Sequence, residues 1–305
     1  MKHSIPITII LLSMFFATQL IGIAVINVYS PETVQVDTEE GPVNITTYNL
    51  PYGTNPPVGI TPRISFVSII IAIIIAVFIM FLLMRYNAEL FLRLWFFFVV
   101  TLALGITLNA GLINVTYSSI IALVIALPLA YLKIFGRNIF VHNITELMIY
   151  PGIAAIFVPI LSIWTVVLLL ILISAYDIYA VWHSGFMQRM AKYQIEKLKL
   201  FAGFFVPYIK KKDKKAIAKL SQTQLKKKKI KVNVAILGGG DVVFPIILAG
   251  VVLRSLGFIP AIIISIGATI ALAGLFYASK KGKFYPAMPF ITTGCLIALG
   301  LAYLI

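Results

Sequence analysis

Asp177 lies in LLLILISAYDIYAVW and Asp241 in VAILGGGDVVFPIIL, so each acid interrupts an otherwise apolar run. A carboxylate at membrane depth costs at least about 2.5 kcal/mol on insertion scales, which makes such a residue a candidate for chemistry by default. Two carboxylates brought to one site cannot both ionise cheaply, and the pair holds a single proton. That arrangement suits amide hydrolysis. The ionised member takes a proton from water while the protonated member polarises the carbonyl, and the roles then exchange. Gly238, Gly239 and Gly240 directly precede Asp241. They leave a backbone without side chains, which a peptide or a facing helix can approach closely. Taken alone, the three glycines are better explained by helix packing through small residues, a common membrane device.

Other chemistries find less support. Membrane acids also relay protons in transporters and channels, and that reading stands beside hydrolysis at this point. A zinc motif H-E-x-x-H is missing, since Asn143 and Ile144 follow His142 and no second His lies within a turn. His183-Ser184 stands at a span end without a G-x-S-G nucleophile motif, and both histidines are expected at the interface. The lone Cys295 permits no intrachain disulfide and is expected in packing. Neither a cofactor nor a metal is expected.

The elements that must carry these residues are membrane helices. Of 305 residues 61% are hydrophobic and 11% charged, against roughly 25% charged in ordinary soluble domains. Apolar runs of a length able to cross about 30 Å of hydrocarbon fall near Ile5–Tyr29, Ile64–Met84, Leu90–Leu108, Val115–Leu132, Thr145–Leu161, Ile163–Trp182, Val232–Val252, Phe258–Ala278 and Pro286–Leu304. The expectation is an all-α polytopic protein of about nine spans. The fifth run is the most interrupted, by Glu146, Pro151, Gly152 and Pro159, and without it the count is eight. The first run is too long for a signal-peptide core of about 7–15 residues and is read as a span. The interfacial anchors expected are Trp95, Trp164, Trp182, Tyr29, Tyr131 and Tyr150, and Phe96–Phe98 is expected to face lipid.

Charge sets the direction. The formal net charge is +15, and residues 183–232 hold fifteen Lys or Arg against Glu196 and Asp213, a local +13. No aromatic interleaving or recognition motif accompanies these cations, so the partner expected is an anionic lipid surface and not nucleic acid. An amino terminus inside places 23 of the 25 cations on the cytoplasmic side, leaving Arg63 and Arg254 outside. The bias of Lys and Arg therefore predicts N-in, C-out. Three parts follow: 1–183 with the first aspartate, a basic cytoplasmic loop at 184–231, and 232–305 with the second. The exterior loop Ser30–Pro62 is expected to be irregular, offers no evident docking domain for a further subunit, and contains the weak glycosylation match Asn44-Ile45-Thr46. Within the basic loop, residues 201–208 are expected to anchor on the membrane surface, or else to cover the site, and Lys210–Lys231 is expected to be mobile.

Depth brings the acids together. With a helical rise of about 1.5 Å per residue, Asp177 lies about 8 Å and Asp241 about 14 Å from the inner boundary, level within the error of span ends. Antiparallel sequence neighbours usually pack, so the two are expected to face each other.

Tyr176-Asp177 in the sixth span, Gly238-Gly239-Gly240-Asp241 in the seventh and Pro286-Ala287-Met288 opening the ninth resemble the YD, GxGD and PAL motifs of the presenilin and signal-peptide-peptidase family. The likeness is strongest to its archaeal presenilin homologues. Order and placement make the combination specific, although each motif is short. The resemblance implies intramembrane aspartyl proteolysis of transmembrane helical substrates by a multi-pass protein of the cell membrane. It implies catalytic roles for Asp177 and Asp241, with Tyr176, Gly238, Gly239, Gly240, Pro286, Ala287 and Met288 supporting the site or binding substrate. Met288 departs from the family's Leu at similar volume. Prepilin-type peptidases share a GxGD element but are expected to have fewer spans and an earlier first aspartate. Pro286 suits a helix start, and with Pro289 it is expected to leave backbone free for an extended substrate.

Overall fold

The computed structural model describes residues 5–38, 41–56, 62–86, 88–136, 138–184, 202–208, 233–279 and 285–304. Among them run nine α-helices: α1 (Ile5–Val28), α2 (Pro62–Arg85), α3 (Glu89–Gly111), α4 (Ser118–Ile134), α5 (Ile139–Phe157), α6 (Ile163–Tyr179), α7 (Gly239–Leu256), α8 (Phe258–Ala278) and α9 (Met288–Ala302). Seven are long and apolar enough to cross a membrane; α4 and α9 are shorter apolar helices. The chain is an all-α polytopic membrane protein. Lys210–Lys231 lies outside the described residues.

α1 runs through the middle of the main core, where Leu11, Phe15 and Ile23 are buried against α5, α7 and α8. Its buried Gln19 donates from Nε2 to the Val242 carbonyl at 3.1 Å. A second core of Leu104, Ala126, Ala130 and Ile149 joins α3, α4 and α5. α8 and α9 approach closely at Gly267 and Gly294, where a Cβ on Gly267 would stand 2.8 Å from the Gly294 carbonyl oxygen. Small residues permit that approach in a medium where helices associate by close packing. At one end of the bundle Arg254 Nη1 donates to the Val158 carbonyl at 2.7 Å, and the same guanidinium holds the Tyr48 hydroxyl. The aspartates belong to the opposite end.

Four expectations change. The seventh run is not helical from Val232: residues Asn233–Gly238 form β4, and the helix begins at Gly239. β-branched and aromatic residues favour the strand in which β4 pairs antiparallel with β3 (Gly203–Tyr208). Residues 203–208 are thus not a surface anchor, and Phe204 is fully buried. The exterior loop is not irregular throughout, because β1 (Glu32–Thr38) pairs with β2 (Gly41–Thr47). Finally, α5 starts six residues before Thr145, since the Asn138 side chain accepts from the Phe140 and Val141 N–H groups as an N-cap.

Candidate active site

Asp177 lies near the end of α6, which continues as a π-helical turn through Ala180–Ser184, and is 5% exposed. Its burial is compensated by a backbone donor at the start of α9. The Met288 N–H donates to Asp177 Oδ2 at 3.1 Å. A helix N-terminus has unpaired N–H groups and a favourable dipole for an anion. One turn earlier in α6, Ser174 is hydrogen-bonded to Thr292 of α9 at 2.7 Å, and both are buried. The ninth helix is therefore bolted to the sixth beside the carboxylate.

This changes the reading of the proline segment. Pro286 is buried just before the helix, Ala287 is the N-cap and Pro289 the second helical residue. The Met288 N–H is occupied by Asp177 and is not free for a substrate. The physical reason is simple: a buried carboxylate needs donors, and Pro286 and Pro289 remove two competing N–H groups while leaving those of Ala287 and Met288.

Asp241 occupies the first turn of α7. Gly238 is the N-cap, with extended backbone at φ −66°, ψ 146°, so the acid is the third helical residue. From there its carboxylate folds back over Gly238, where an added Cβ would stand 3.2 Å from Asp241 Oδ2. Asp241 keeps partial exposure and lies within Coulombic reach of Asp177. Asp177 near the end of α6 and Asp241 at the start of α7 lie at the same end of the two helices, Asp241 by way of a strand and one helical turn.

The glycines have separate jobs. Gly239 is buried, and a Cβ there would stand 2.6 Å from the Tyr150 hydroxyl. Gly240 is exposed, and an added Cβ would meet only Phe244 at 3.8 Å. Tyr176 is not gathered into the carboxylate cluster: it is 50% exposed, about 100° around the helix from Asp177.

Several neighbours escaped the sequence reading. Tyr150 is no interfacial anchor but is 3% exposed, edge-on to Phe204 at 5.9 Å. Tyr29 is likewise buried, its hydroxyl donating to the Ile106 carbonyl at 2.8 Å. Glu146 is a third buried acid, paired with Lys133 of α4. Its signal was available: an acid in an apolar run, thirteen residues after a lysine that ends the preceding span. His142 does not stand at an open interface. Its Nδ1 lies 3.3 Å from Lys133 Nζ and its Nε2 is 2.8 Å from the Gly203 carbonyl oxygen. His183 is exposed and stacks on Tyr179. Among the described residues no three His, Cys, Asp or Glu gather into a metal-ligating group.

The model of the signal-peptide peptidase, presenilin aspartyl protease family matches residues 51–305. The chain belongs to that family. It is an intramembrane aspartyl protease, an aspartic endopeptidase, and an integral multi-pass membrane protein. Proton-coupled transport, open on the two acids alone, gives way to proteolysis, as does the prepilin-type reading. Two crystal forms of a presenilin family intramembrane aspartate protease share the fold. The form in space group C222 is 17% identical with a TM-score of 0.58, covering 97% of each chain. The form in P2 is 17% identical with a TM-score of 0.57, covering 96% of each chain. No curated protein sequence matches the chain.

Proposed function

We propose that Asp177 and Asp241 are the catalytic pair of this presenilin-type protease and that its substrates are single transmembrane helices with their amino termini outside. The observation that supports this most directly is the placement of two carboxylates at the same end of α6 and α7, with Asp177 held by the Met288 N–H. One ionised carboxylate draws a proton from water as the water attacks the scissile carbonyl. The other, protonated, donates a hydrogen bond to that carbonyl oxygen. Collapse of the tetrahedral intermediate breaks the C–N bond, and the leaving nitrogen takes a proton from the pair. No permanent acid or base is assigned, because one proton is shared.

A helix hides its amide bonds in internal hydrogen bonds, so the substrate unwinds before cleavage and needs new partners. Gly239 N–H donates to the Ala202 carbonyl, which makes residues 202 and 239 a hydrogen-bonded pair. Alternation along the antiparallel ladder then turns the N–H and C=O groups of Ile236 away from β3. An extended substrate added along this edge of β4 would run toward Asp241, past the open face of Gly240. We assign nine spans with N-in, C-out direction, the cell membrane as location and anionic lipid as the surface met by the basic loop 184–231, between the parts 1–183 and 232–305. We also assign to Tyr176, half exposed next to Asp177 in the chain, a contact with substrate.

The test is cleavage of a model transmembrane peptide by purified protein. Asp177→Asn and Asp241→Asn should each abolish product while thermal unfolding stays cooperative. Turnover by either variant at more than a few per cent of the wild-type rate refutes the pair.

A further inference from the structure

We propose that Asn143 and His142 are positioning residues for the cleavage reaction: from the first turns of α5 they close the outer edge of β3 in place of a further strand, and so fix the hairpin that ends in the Asp241 turn. Asn143 makes a two-point contact with one residue of that edge. Its Nδ2 donates to the Phe205 carbonyl at 2.7 Å, and its Oδ1 accepts the Phe205 N–H at 3.0 Å. This is the pattern a neighbouring strand would present. Two residues earlier, His142 meets the Gly203 carbonyl at 2.8 Å, and its ring also packs at 5.0 Å from the Phe205 ring.

The ladder explains why these groups need partners. With 202 and 239 a hydrogen-bonded pair, 203 and 205 are turned outward, away from β4. The outward groups of Gly203 and Phe205 are the ones that α5 takes. Lysine can only donate, so the Lys133 contact makes His142 Nδ1 an acceptor and leaves the proton on Nε2, which donates to Gly203. Glu146, one turn along α5, holds Lys133 in that place. The line of contacts therefore runs Glu146, Lys133, His142, Gly203, then across the ladder to Gly238, the N-cap of the helical turn that carries Asp241. Neither Asn143 nor His142 touches either aspartate in this line. They act through the backbone that carries Asp241.

The proposal rests on Asp241 being catalytic, and the experiment separates the two. In full-length protein, Asn143→Ala is expected to lower kcat about tenfold, equal to about 1.4 kcal/mol, with KM changed less than twofold. Loosening the hairpin should also spread the cuts over neighbouring peptide bonds, which mass spectrometry of the products reads. Hydrogen exchange at the Phe205 amide should rise in the same variant. Asn143→Asp keeps the acceptor but loses the donor to Phe205, and should show the same spread of cuts. His142→Gln retains a side-chain donor for Gly203 and should keep at least half of wild-type kcat, whereas His142→Leu should not. Asp241→Asn serves as the reference. If it is inactive while Asn143→Ala cuts at one bond with wild-type kcat, the positioning role is wrong and the catalytic pair stands. If Asp241→Asn is active, the pair itself fails. A loss in Asn143→Ala that comes with unfolding, while the folded His142→Leu protein matches wild type in rate and cut position, also overturns the proposal.

Discussion

Gly239→Ala should destabilise the protein through one identified contact. The new Cβ would stand 2.6 Å from the Tyr150 hydroxyl, 2.8 Å from its Cε1 and 3.0 Å from its Cζ. Reaching ordinary contact requires a relative shift of roughly 0.8 Å, and the tyrosine has little room for it. Its ring is 3% exposed and packs against the fully buried Phe204. Overpacking of this kind costs about 1–3 kcal/mol, while the gain in helix propensity from Gly to Ala returns up to about 1 kcal/mol. The net expectation is a loss of about 1–2 kcal/mol, seen as a lower midpoint of thermal or denaturant unfolding in detergent. Tyr150→Leu in the same chain should recover at least half of that loss, because the two substitutions share one space. Gly240→Ala is the internal control for sterics: the protein should be no less stable, but peptide cleavage should fall, since its Cβ projects into the open face beside Asp241. Additive effects of Gly239→Ala and Tyr150→Leu, or an unchanged midpoint in Gly239→Ala, would refute the packing argument.

Lys133→Met should cost about 3–5 kcal/mol by leaving Glu146 buried without its cation, and the Lys133→Met, Glu146→Leu double variant should recover most of it; denaturant midpoints decide. Ser174→Ala and Thr292→Val should each weaken the protein by about 1 kcal/mol, with the double variant little worse than either, because both remove the same hydrogen bond. Substrates carrying Gly or Pro near their cytoplasmic end should be cut faster, since less helix remains to be broken, and product masses should place the cuts in the cytoplasmic half.

Long helices were legible in the sequence because lipid demands continuous apolar runs. α8 spans Phe258–Ala278 as the hydropathy indicates, and α1 ends one residue short of its expected limit. The hairpin of β3 and β4 was not legible, for a physical reason. Asn233–Gly238 is as apolar as the helix it feeds, so hydropathy cannot tell strand from helix there. Its partner is distant in the chain, with a lysine-rich segment between them. The β-branched content of residues 232–236 was the available cue, and membrane periodicity masked it.

At the site, what could be read were residues that are costly in an apolar run and free to be noticed singly: Asp177, Asp241 and the glycines. What could not be read were the groups that make them tolerable. Asp177 is held by the Met288 N–H, which carries no side-chain signature, and only the two prolines around it hint at a helix start. Gly239 is glycine because Tyr150, some ninety residues earlier in the chain, fills the place of its side chain. Asp241 sits at a junction of strand and helix, so its position depends on both the α7 packing and the hairpin. A catalytic acid at the start of a helix can be moved by the strand before it without disturbing the helix behind it. With Asp241 as the catalytic residue proposed above, cleavage should therefore be sensitive to the contacts that hold β3 and β4.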